Sequence, residues 1–100
     1  MKIDKKIENG KVRYALVGRL DSNAVSDLKR ELDADMDSIN YLTLDFKAID
    51  YVSSAGLRLL MNMQREMNRK GSMKVINVSD EVRNVLKVTG FLNILNVQKS

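Results

Sequence analysis

One hundred residues with 44% apolar and 30% charged side chains, and neither Pro nor Trp, suffice for one compact core but rarely divide into two domains. The absence of Cys and His excludes a disulfide framework, a thiolate nucleophile, a Ser/His/Asp hydrolase and the usual transition-metal centre. The net charge of +4 is spread without any block of four basic residues, and acidic residues accompany the basic ones, so direct nucleic-acid binding is not expected.

The opening Met1-Lys-Ile-Asp-Lys-Lys has no continuous apolar stretch of the kind a signal peptide needs. The longest mid-chain run without a charge, Tyr51 to Leu57, is too short to cross a bilayer, so a cytoplasmic location without membrane insertion is expected. Residues 2–8 and 11–17 predict two strands joined by a turn at Glu8, Asn9 and Gly10, because Asn-Gly supplies the positive φ angles of a tight hairpin. In the second strand Val12, Tyr14 and Leu16 alternate with Arg13, Ala15 and Val17, and Gly18 is expected to end it.

Asp21, Ser22 and Asn23 are capping residues ahead of a helix whose apolar stripe is Val25, Leu28 and Leu32, fading near Asp37 and Ser38. Tyr41 to Phe46 predicts an interior strand, and residues 47–54 a connection to a second helix from Ala55. That helix carries Leu57, Leu60, Met61 and Gln64 on one stripe, widened by Leu59, Met63 and Met67. Gly71 and Ser72 interrupt it, Lys74 to Val78 predicts another strand, and Ser79 caps a third helix with Val82, Val85 and Leu86, closed by Thr89 and Gly90. Ile94 to Val97 is a candidate edge strand. The alternation predicts an α/β (α+β) domain: a mixed four- or five-stranded sheet with helices from about Asn23, Ala55 and Asp80 packed mainly on one face. Leu28, Leu44, Leu60, Val75 and Val85 are the expected shared core.

The segment Ile49-Asp-Tyr-Val-Ser-Ser-Ala-Gly-Leu-Arg places two hydroxyls just ahead of a helix. Either Ser53 or Ser54 can cap the first turn, which accounts for one serine but not for two. A phosphate on such a serine would add about −1.5 to −2 charges and sharply alter a docking surface. Gly56 costs the helix about 1 kcal/mol relative to Ala, which either tight packing on the sheet or close approach of a partner would explain. The acidic residues nearby, Asp21, Asp45 and Asp50, have no His, Cys or Gly-rich phosphate loop beside them, so catalysis is not expected.

Asp50-Tyr-Val-Ser-Ser-Ala-Gly-Leu-Arg resembles the signature of the STAS family, named for sulfate transporters and anti-sigma factor antagonists. Gly18-Arg-Leu-Asp-Ser resembles its second marker, Leu44-Asp-Phe with Ile49 the strand before the switch, and Thr89-Gly-Phe-Leu the end of its third helix. The resemblance implies a single domain over residues 1–100, without the last C-terminal helix usual in the family. It implies phosphorylation at Ser54, with Asp21, Ser22, Ser53, Ala55, Gly56, Leu57 and Arg58 in the switch loop and partner surface; Ser53 stands where Asp is frequent. The implied role is an anti-sigma factor antagonist. Its partners would be an anti-sigma factor serine kinase of the GHKL type and a PP2C-type phosphatase, with no cofactor or metal of its own. The alternative is an adaptor subunit of a transport or stress-sensing assembly.

Overall fold

Asn9 and Gly10 take φ angles of 50° and 80°, the paired positive values of a type I′ turn, and fold β1 (Lys2–Glu8) back against β2 (Lys11–Leu20). In the computed structural model, which describes residues 1–99, the chain continues through α1 (Ser22–Asp35), β3 (Tyr41–Val52), α2 (Ser54–Lys70), β4 (Ser72–Ile76), α3 (Asp80–Val88) and β5 (Val97–Gln98). Ser100 lies outside the described residues. The sheet has five strands in the order β1-β2-β3-β4-β5, antiparallel between β1 and β2 and parallel thereafter. Among the described residues no helix is long and apolar enough to cross a membrane.

Each parallel connection carries a helix and advances the sheet by one strand in the same direction, so right-handed crossovers place all three helices on one face. Register agrees with this. Val12 pairs with Leu42, which pairs with Met73, and Tyr14 pairs with Leu44, which pairs with Val75, so these apolar side chains share a face. They form one buried cluster with Leu28 and Leu32 of α1, Leu60 and Met67 of α2, and Val82 and Leu86 of α3.

Several boundaries differ from the sequence expectation. Gly18 does not end β2; its φ of 122° accommodates a shift of register between Gly18 and Arg19, and the strand runs on to Leu20. β3 likewise continues past Phe46, because Ala48, Ile49, Tyr51 and Val52 pair with Val17, Gly18, Arg19 and Leu20. Residues Met36–Ser38 form a 3₁₀ turn, not a fraying end of α1, whose buried residues are Ala24, Leu28 and Leu32, with Val25 half-buried. β4 spans Ser72 to Ile76 instead of Lys74 to Val78, since the Ser72 amide already donates to the Asn40 carbonyl and Asn77 turns away at φ 58°. Ile94 sits in a turn, leaving β5 only Val97 and Gln98. Val85 is 38% exposed: on a nine-residue helix the buried stripe is Val82 and Leu86, and Val85 falls to its side.

The hairpin is tied to α1 by a buried tyrosine. Tyr14 donates its hydroxyl to Asp35 Oδ2 at 2.6 Å, and Lys5 of β1 donates to the same oxygen at 2.9 Å and to Glu31 at 2.5 Å. The hydrogen bonds from Tyr14 and Lys5 hold the Asp35 carboxyl below the usual carboxylate range, while burial pushes the Tyr14 hydroxyl up. Tyr14→Phe is expected to lower stability by about 1–2 kcal/mol near neutral pH, measured by urea unfolding. Because the folded Asp35 pKa is depressed, its contribution is complete above the unfolded value of about 3.9 and is lost as pH falls through the folded value. The difference between the two proteins is therefore expected to narrow in acid; a constant gap down to about pH 2 would contradict the Tyr14–Asp35 linkage.

Candidate functional site

Leu20 and Val52 are parallel partners at the ends of β2 and β3, so the next residues, Asp21 and Ser53, lie side by side on strands about 4.8 Å apart. Each is the N-cap of the helix that follows. Asp21 Oδ1 accepts from the Ala24 amide at 3.0 Å, and Ser53 Oγ accepts from the Gly56 amide at 3.1 Å. The starts of α1 and α2 are thereby fixed next to each other, which brings Asp21 and Ser22 to the Ser53–Ser54 junction.

The two serines are not equivalent. Ser53 uses its hydroxyl twice, donating to the Leu20 carbonyl at 3.0 Å while accepting from Gly56, and its amide donates to the same carbonyl at 2.9 Å. It is the staple between the β2 end and α2. Ser54 is the first helical residue and is exposed. Capping is thus assigned to Ser53, and the Ser54 side chain stands free of that task.

Gly56 is buried beneath this junction. A Cβ there would lie 2.7 Å from the Leu20 carbonyl oxygen and 3.0 Å from both Leu20 Cγ and Val52 Cγ1, so packing on the sheet explains the glycine. Leu57 is also buried, in the main core cluster. Of the residues expected in the switch loop, Ser22, Ser54 and Arg58 are exposed, Asp21, Ser53 and Ala55 are half-buried, and Gly56 and Leu57 face inward. A groove of about 370 Å³ runs from Ala55 and Arg58 between α1 and α2, floored by Val25, Leu32, Leu59 and Met63. Sequence patterning did not reveal this groove, because its two walls come from different elements; the half-buried Val25 and Leu59, beside rather than on their helices' buried stripes, are its only local sign.

A family model described as the STAS domain matches residues 2–100. The chain belongs to the STAS domain family. Among curated relatives, this STAS domain is 31% identical over 94 residues to the putative anti-sigma factor antagonist BtrV of Bordetella bronchiseptica, covering 92% of this chain and 81% of that protein. Its fold matches the anti-sigma factor antagonist SpoIIAA in the unphosphorylated form with a TM-score of 0.82 at 19% identity, covering 99% of this chain and 90% of that one. The phosphorylated form of SpoIIAA, a Bacillus cell fate determinant, matches with a TM-score of 0.76 at 18% identity over 99% and 93% of the two chains. A putative anti-sigma factor antagonist from Thermotoga maritima gives a TM-score of 0.89 at 16% identity over 98% and 86%. At these identities the solved structures establish the STAS fold, including the mixed sheet and helix order expected from sequence.

Proposed function

We propose that this STAS domain is an anti-sigma factor antagonist whose unphosphorylated form docks on an anti-sigma factor serine kinase of the GHKL type and is released by phosphorylation of Ser54. The observation that carries the reading is the division of labour at the junction: Ser53 is held by two hydrogen bonds and caps α2, while Ser54 is exposed beside it. The relative BtrV and the existence of a phosphorylated form of the structural neighbour SpoIIAA support the same assignment. The groove between α1 and α2 begins next to Ser54 and gives a partner an apolar seat, with Arg58 at its mouth. Gly56 and Leu57 act from beneath by fixing the loop.

The chemistry is supplied by the partner. The Ser54 Oγ attacks the γ-phosphorus of ATP held by the kinase, the bond to ADP breaks, and the hydroxyl proton passes to a kinase base. Asp21, adjacent to Ser53, lies on the side from which the kinase approaches. A phosphate at Ser54 places about −1.5 to −2 charges at the rim of the apolar seat, where a charge buried unpaired opposes association. A PP2C-type phosphatase restores the docking form. The domain acts in the cytoplasm and carries no catalytic centre or cofactor of its own.

The test is incubation with the cognate kinase and ATP, residue-resolved mass spectrometry, and titration of the product against the kinase. Phosphate is expected on Ser54, with docking weakened at least about tenfold, or 1.4 kcal/mol. Ser54→Ala is expected to dock normally and resist modification. Ser53→Ala should remain a substrate while losing about 1 kcal/mol of stability with its cap. Phosphate confined to Ser53 or Ser22, or undiminished docking of Ser54-phosphorylated protein, would reject the proposal.

A further inference from the structure

The seven residues of β1 stand at an open edge of the sheet. β1 pairs only with β2, and all of Lys2–Glu8 is exposed except the half-buried Ile3. The two-residue turn makes Glu8 and Lys11 a pair that exchanges both hydrogen bonds. Alternation from there points the amides and carbonyls of Ile3, Lys5 and Ile7 away from the sheet. Such an edge is a template for another strand unless its side chains, a proline or a bulge oppose one. β1 follows β2 residue for residue and contains no proline, so only its charges can decide.

Those charges are self-complementary about Lys5. A two-fold axis at that residue sets Lys2 against Glu8, Ile3 against Ile7 and Asp4 against Lys6. The same centre brings the outward amides and carbonyls of one copy opposite those of the other, whereas a centre between two residues opposes outward groups to inward ones. Moving the axis to Asp4 opposes Lys2 to Lys6, and moving it to Lys6 opposes Asp4 to Glu8. The one like pair left, Lys5 on the axis, is answered within each copy, since Lys5 donates to Glu31 at 2.5 Å and to Asp35 at 2.9 Å.

We propose that β1 pairs antiparallel with β1 of a second copy of this chain, in the register centred on Lys5, and joins the two sheets into one. Ile3 and Ile7 lie beside Leu16 and Val12, on the helix side, so Ile7, 53% exposed, is covered by Ile3 of the other copy. Asp4 and Lys6 meet on the bare side as a non-hydrogen-bonded pair, the kind whose side chains approach most closely. Both are available for it. Among the described residues neither has an ion-pair partner; Asp4 lies beside Ala15, and Lys6 beside Arg13, whose own charge is engaged by Asp45 at 2.7 Å.

Ser54 begins the helix that follows β3, and β1 lies across β2 from that strand. Pairing therefore leaves the serine junction open, and Ser54→Asp should self-associate like the parent chain.

One edge strand on another is a contact at the small end of interfaces, so the dimer is expected to be reversible and populated by about 1 mM chain. Sedimentation equilibrium of the full chain measures it. Asp4→Lys and Lys6→Asp are each expected to weaken self-association at least about tenfold, because each sets like charges face to face. An equimolar mixture of these two variants is expected to recover it, since every charge facing across that pair is then unlike. Both positions are exposed, so the variants should keep the parent's unfolding curve. Amide hydrogen exchange at Ile3, Lys5 and Ile7 is expected to slow as concentration rises. A chain monomeric at about 1 mM, a mixture that associates no better than either variant alone, or slowing confined to the opposite edge at Val97 and Gln98 would overturn the proposal.

Discussion

Leu44→Ala and Leu60→Ala are each expected to lower the unfolding free energy by about 2–5 kcal/mol, a large part of the 5–15 kcal/mol typical of such a domain. Leu44 lies on the central strand in register with Tyr14 on one side and Val75 on the other, all fully buried. Leu60 is fully buried on α2, which packs across β3 and β4. Rigid strands flank both sites, so the cavity left by truncation collapses little and the cavity cost adds to the lost burial. In thermal melts each kcal/mol corresponds to about 4–8 °C for a domain of this size, so midpoints are expected to fall by at least about 8 °C. Val85→Ala, on a side chain 38% exposed, serves as the control and should cost well under about 1 kcal/mol. Losses below about 0.5 kcal/mol for both leucines would reverse the assignment of inner and outer faces.

Gly56→Ala is expected to destabilise the protein by about 1–3 kcal/mol, although alanine is the better helix former by about 1 kcal/mol. The new methyl would meet the Leu20 carbonyl oxygen at 2.7 Å. That oxygen cannot retreat cheaply, because it accepts from the Ser53 amide at 2.9 Å and from the Ser53 hydroxyl at 3.0 Å. Relief of the clash must lift the start of α2 from β2 or break the staple, and either movement displaces Ser54. Urea unfolding and the rate of Ser54 phosphorylation are therefore expected to fall together. A variant more stable than the parent would show that helix propensity outweighs the contact.

Local signals in the sequence were read well where a single element sufficed. Asn9-Gly10 marked the hairpin, and Asp21 and Ser79 each cap a helix, with side-chain oxygens accepting amide hydrogen bonds from Ala24 and Val82. The features that depend on two elements were not legible. Nothing local distinguishes Gly18 within a strand from Gly18 as a strand end; its partner Ile49, thirty-one positions later, decides the matter. The same pairing turns residues 47–52 from a connection into strand. The choice between Val85 and Leu86 as core depends on how α3 is rotated, which three apolar residues on nine do not fix. At the candidate site, the motif falls at the junction of β3 and α2, but only the Leu20 carbonyl, which engages Ser53, separates the capping serine from the exposed one. The Arg13–Asp45–Asn77 cluster was missed for the same reason, since its members are adjacent only after β2, β3 and the end of β4 have aligned.

The coincidence of strand order with chain order bears on how the protein is made. β1 and β2 can zip as soon as both have left the ribosome, and every later strand then adds to the free edge of the one before it. No strand has to be inserted between two already paired, and none waits for a segment near the C-terminus. Each pairing after the hairpin closes only the loop that holds one helix, as between Tyr14 and Leu44 or between Leu44 and Val75. The absence of proline removes the slow peptide isomerisation that delays many domains after synthesis. Growth can thus proceed from one edge of the sheet to the other while translation is still under way.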